Sequence, residues 1–197
     1  EINPDAHFGR EVYQKLLVEY MLSKRFSAEG ETRIPLPLSN DPRGFRSTAG
    51  YAAFVAEKLE GRGGGNDSPA ALSPEGRERA MQGVLGMMRF ANHDSPLLLE
   101  ALGDLLMVGG PGDKLQYGDA KNLAARAYLL ASMKADDPQA RDEYLQLAHG
   151  AVSMQIQFHG SHGEEAVSPK LVSQFQAELD EADEWYSQVR ANELAWI

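Results

Sequence analysis

The residues best suited to chemistry lie in FHGSHGEE at 158–165. His159 and His162, joined by Glu164 or Glu165, could supply three ligands to Zn²⁺ and leave a fourth position open for water, as catalytic zinc sites do. On that reading the chain is a metal-assisted enzyme, or a helical domain that binds a small ligand through this loop. Against it stand Gly160 and Gly163, which make the segment a pliable loop that does not preorganise a metal. The His-Glu-x-x-His spacing of a helical zinc site is absent, and a plain polar loop is the competing reading.

Other chemistry is harder to build. GRGGGND at 61–67 and GGPGDK at 109–114 look like phosphate cradles, but a P-loop needs a preceding strand and a trailing Gly-Lys-Ser/Thr, and Leu115 follows Lys114. Both read as linkers. No Gly-x-Ser-x-Gly elbow occurs, and the absence of cysteine removes thiolate nucleophiles, thiolate metal sites and disulfides. The acids Glu178, Asp180, Glu181, Asp183 and Glu184 crowd one helical segment and read as solubilising charge. A formal net charge of −10 disfavours nucleic-acid binding, which needs clustered Lys and Arg. No cofactor is implied.

The elements that would carry such residues are helices. With 197 residues, 43% hydrophobic and 24% charged, the chain suits one globular domain with a sizeable core. No apolar run approaches the roughly 20 residues of a membrane span; Leu97–Leu99 and Leu105–Val108 are interrupted by Glu100, Gly103 and Asp104. Capping residues precede proline at Asn3-Pro4, Asp41-Pro42, Ser73-Pro74, Ser95-Pro96, Asp137-Pro138 and Ser168-Pro169. That pairing marks helix starts, because proline at the first helical position loses nothing by lacking an N–H. Apolar residues at helical spacing predict seven helices, over 5–26, 48–60, 74–91, 96–108, 119–135, 138–157 and 169–196. Trp185 and Tyr186 continue the inward stripe of the last one, while Trp196 and Ile197 either cover the final hairpin or dock on another chain. RIPLPLSN at 33–40 alternates, but Pro35 and Pro37 spoil a ladder, so it reads as an extended connector, and no strand is expected. Short links at 92–95 and 136–137 force antiparallel neighbours, whereas 28–47, 61–73, 109–118 and 159–167 are looser. The expected fold is therefore all-α, one domain over 1–197.

EINPDA at 1–6 resembles the junction between tetratricopeptide repeats, where one helix ends, a proline follows and the next begins. Within 119–148, Ala125 and Tyr128, then Ala140, Tyr144 and Leu147, echo the small–aromatic spacing of such a repeat, with Leu147 in a usually small position. Tyr128 to Ala140 runs about one helical turn longer than the family pattern. Gln14 and Arg10 occupy positions where the family favours a small residue and Trp. The resemblance implies stacked antiparallel hairpins closed by a long C-terminal capping helix. It also implies a groove for a protein or peptide partner, with no catalysis. Asn122 and Arg126 would face that groove, where Arg can grip a carboxylate in bidentate fashion; a merely solvated face is the alternative. With no initiator Met, the chain reads as the C-terminal portion of a longer protein. Its compartment stays open between cytoplasm and periplasm.

Overall fold

The computed structural model describes residues 10–28, 31–39, 50–61, 72–90, 93–108, 117–158 and 169–194. Seven helices occur among them, as the periodicity predicts: α1 (Arg10–Lys24), α2 (Gly50–Glu60), α3 (Pro74–Phe90), α4 (Pro96–Met107), α5 (Tyr117–Lys134), α6 (Pro138–Phe158) and α7 (Pro169–Leu194). The chain is all-α in class. One small addition was not expected: β1 (Phe26–Ala28) pairs antiparallel with β2 (Glu31–Arg33), Phe26 opposite Arg33 and Ala28 opposite Glu31. Three residues a side leave too short an alternation to register as a strand pattern.

Proline opens α3, α4 and α6. The caps before these prolines are not alike. Gly76 N–H donates to Ser73 Oγ at 3.0 Å, and Ala140 N–H donates to Asp137 Oδ2 at 3.0 Å, so both side chains satisfy a donor that the helix itself leaves orphaned. Ser95 sits before α4 in an extended conformation but makes no side-chain cap bond.

The chain divides into two compact units, Glu1–His162 and Gly163–Ile197. In the first, α4 is the central element, with α2, α3 and α5 against it, and α6 covers α5. Almost all of α4 is buried, including Leu98, Leu99, Ala101 and Leu105–Met107, as expected of a helix that is apolar on every side. Two glycines set how closely its neighbourhood packs. A Cβ on Gly103 would collide with the Tyr128 ring, and one on Gly83 would collide with the ring of Tyr13. Their bare backbones let α5 press on α4, and α1 on α3, with an aromatic ring in the gap.

Arg10 lies near Gly86 and Tyr13 near Gly83, so α1 runs antiparallel to α3. Successive helices were expected to pair; here α1 touches both α2 and α3, and α2 also reaches α4. The long 28–47 and 61–73 links permit this, since neither forces an immediate fold-back. In α1, Tyr13 is buried and Val12 beside it exposed. Leu59, Leu85 and Leu123 are exposed as well. So are Trp185 and Tyr186, at 64% and 62%. Among its described residues, the unit that holds them contains a single helix.

Candidate functional site

The functional candidates of the sequence fare unequally. His159, His162 and Glu164 lie outside the described residues. Among the described residues, no group of three His, Asp or Glu side chains stands where it could hold a metal. Asn122 and Arg126 fall on one side of α5, both half-buried, and an Arg126 guanidinium N–H donates to the Asn122 carbonyl at 3.4 Å.

That side is the accessible one. Between Ala120 and Ala135 every residue of α5 is buried except Asn122, Leu123, Arg126, Leu130, Met133 and Lys134. Spacings of three and four residues place these on one narrow stripe. Two exposed apolar side chains, Leu123 and Met133, bracket the half-buried Arg126. The remaining faces of α5 serve the core: Ala124, Tyr128 and Leu129 are wholly enclosed. Buried Lys121 donates from Nζ to the carbonyl of Met107, the last residue of α4. Burial, with Arg77 nearby, pushes its pKa down to about 8.

A second constellation was not foreseen. Glu100 and Asp104 stand one turn apart on α4 and are buried to 1% and 0% exposure. Oε1 of Glu100 accepts from Ser39 N–H at 2.7 Å and Ser39 Oγ at 2.9 Å, and its Oε2 accepts from the Tyr144 hydroxyl of α6 at 2.8 Å. Asp104 accepts from the Tyr51 N–H at 2.7 Å, and from the Tyr128 hydroxyl of α5 at 2.8 Å. Tyr51 is the second residue of α2, so Asp104 caps that helix from a different one, where a carboxylate suits the positive end of the dipole. Ser39 follows the cis Leu36–Pro37 peptide, in a turn whose Leu38 is also fully enclosed.

Burial opposes charge on both acids. It raises the pKa of Glu100 despite the donors around it. Burial first, and then the neighbouring Glu100, push Asp104 up to about 8, against the Tyr51 and Tyr128 donors and, last, Lys24. Tyr20, Tyr51, Tyr128 and Tyr144 in this core are all shifted upward, burial being the largest cause in each. Among the described residues the Tyr20 hydroxyl finds no hydrogen-bond partner. It occupies the space that a Cβ on Gly50 would need.

A general acid or base must come within hydrogen-bond reach of its substrate. These two carboxyls are instead enclosed by donors from the chain itself. What the arrangement does is favour the protonated acid and tie together the 36–39 turn, α2, α4, α5 and α6. A sequence signal for it existed: a helix apolar on all sides is a buried helix, so charges inside such a run are buried too. Glu100 and Asp104 were instead read only as interruptions of an apolar run.

Comparison of the chain with protein-family models, with curated proteins and with solved structures finds no match to any of them.

Proposed function

We propose that the chain is a protein-interaction module of the tetratricopeptide type, and that the accessible stripe of α5 meets the partner. The observation that carries this reading is the stripe itself. It is the one face of α5 between Ala120 and Ala135 not used by the core, and it mixes Leu123, Leu130 and Met133 with Asn122 and Arg126. Such a mixture suits a peptide segment that lays an apolar side chain along the leucines and presents a carboxylate to Arg126. Asn122, which has both a donor and an acceptor in its amide, suits the peptide backbone. The buried acids contribute indirectly, since Tyr128 on the opposite side of α5 is held by Asp104 and so keeps the helix in place.

Selection of binding peptides from a displayed random library, with the purified chain as bait, tests this. Selected peptides are expected to share an acidic residue next to an apolar one. They should lose at least about tenfold in affinity, or about 1.4 kcal/mol, when Asn122→Ala and Arg126→Ala are combined, while thermal unfolding stays unchanged. Peptides that bind the double variant as tightly as the parent chain overturn the assignment of this face.

A further inference from the structure

At the C-terminal end of α3 the Phe90 side chain is 65% exposed, and two guanidiniums lie against its ring. Arg10, the first residue of α1, places its guanidinium carbon 5.4 Å from the ring centre, and Arg89 places its own at 5.6 Å. A guanidinium held on an aromatic ring keeps its N–H fork free at the edge, so two forks stand beside one apolar surface. Leu85, exposed one turn before Arg89, extends that surface. Few other charges are near. Glu11 pairs with Arg10 at 3.4 Å, a long contact between sequence neighbours at the surface, which is worth little. Arg89 contacts Phe90 and makes no ion pair among the described residues. From Ala80 to Phe90 the helix holds no acid, and Glu78 lies three turns before Arg89, about 16 Å along the axis. In a chain of net charge −10, this end of the α1–α3 pair is positive.

We infer that this end of the α1–α3 pair docks an acidic peptide segment of a protein partner, two carboxylates meeting Arg10 and Arg89 and an apolar side chain resting on Phe90 and Leu85. The charges that touch the ring choose this occupant. Both are guanidiniums, and each can take a carboxylate through two parallel N–H bonds. A lysine-bearing segment would set cations against both of them. A second copy meeting this face with its own would do the same, so the patch is not self-complementary. Arginine is among the residue types that most often carry binding energy at interfaces. Here the ring already orients both side chains, which lowers the freedom lost on docking. No residue of α5 takes part, so this assignment and that of the α5 stripe can fail separately.

The test titrates the 197-residue chain into a labelled synthetic helix that carries glutamates one turn either side of a leucine. A twin peptide with lysine in place of glutamate is measured alongside. The glutamate peptide is expected to bind at least about tenfold more tightly than its twin. It should weaken by a similar factor with Arg10→Gln/Arg89→Gln, and again with Phe90→Ala. Arg10→Glu/Arg89→Glu should reverse the preference, so that the lysine twin binds better, an outcome that mere unfolding does not produce. Arg190→Gln on α7, which removes an exposed cation elsewhere, should leave binding unchanged. Circular dichroism melts keep the comparison among folded chains. Equal affinity for the two peptides, or arginine variants that bind like the parent, overturns the inference. So does binding that survives Arg10→Gln/Arg89→Gln and is lost with Asn122→Ala/Arg126→Ala, since the α5 stripe is then the receptor. Sedimentation that finds the chain alone dimeric, with the dimer abolished by Phe90→Ala, overturns it too, because a second copy is then the occupant.

Discussion

Two tyrosine hydroxyls in the same core make opposite predictions. Tyr144 donates to Glu100 at 2.8 Å, and Tyr144→Phe leaves a buried carboxyl oxygen short of a donor. The cost of such an orphan is about 1–3 kcal/mol. Tyr20 is equally enclosed, but its hydroxyl has no hydrogen-bond partner among the described residues, so Tyr20→Phe removes an atom that bonds nothing and should change stability by less than about 0.5 kcal/mol. Urea midpoints with unchanged slopes separate the two; a Tyr20→Phe loss as large as that of Tyr144→Phe would show that the Tyr20 hydroxyl has a partner after all. The same contrast explains what was legible at this scale. Asn122 and Arg126 could be placed on one helix side from spacing alone, and they share it. The Glu100–Asp104 site could not be assembled that way, because its donors come from Ser39, Tyr51, Tyr128 and Tyr144, up to 61 residues distant in sequence. No local period links them.

At the scale of elements, helix existence was legible because each helix carries an apolar period, and several add a punctuated start. The starts of α3, α4 and α6 fall on the prolines that predict them. Boundaries without proline drifted, and α5, expected from 119, already includes Tyr117. What the pairs Ser73-Pro74, Ser95-Pro96 and Asp137-Pro138 conceal is whether the residue before proline makes a bond. Ser73 Oγ and Asp137 Oδ2 each take a backbone N–H of the first turn, and Ser73 is itself held by Glu60 at the end of α2, Oγ donating at 2.5 Å. Replacing either residue by alanine should lower stability by about 1 kcal/mol, within the usual 0.5–2 range of a lost cap. Ser95→Ala, which removes no cap bond, should fall below that range. Thermal midpoints for the three variants check the order, and a Ser95→Ala loss equal to the others would mean that proline placement, not the side-chain bond, dominates these starts. The exposed stripe of α7 was misread for a related reason. Periodicity reports that a face is apolar, and it is silent on whether a neighbour exists to cover it.

For the whole molecule, α4 matters most, because the two acids on it join segments from Ser39 to Tyr144 and impose a proton balance on folding. Asp104 has a folded pKa near 8 against 3.8 for an ordinary aspartate, and Glu100 is shifted the same way. Between the two Asp104 values the native chain holds a proton that the unfolded chain has released, and Glu100 acts in the same sense. Stability therefore falls as pH rises, by up to about 1.4 kcal/mol per pH unit for each proton retained. The contribution is complete below about pH 4 and lost through pH 8. Two other shifted groups act outside this window. Asp94, lowered chiefly by its bond to Lys134, works in the opposite sense below the ordinary aspartate range. Lys121, depressed to about 8, adds stability only as pH climbs beyond that value. Unfolding measured from about pH 5 to about pH 8 should thus show the urea midpoint declining steadily toward the alkaline end. Asp104→Asn should be less stable at the acid end, since the amide matches the Tyr51 and Tyr128 donors poorly, yet flatter across the range because it has no proton to lose. A parent profile that rises over that interval would mean that both acids are ionised in the folded chain, and the buried pair would then owe its stability to its five donors alone.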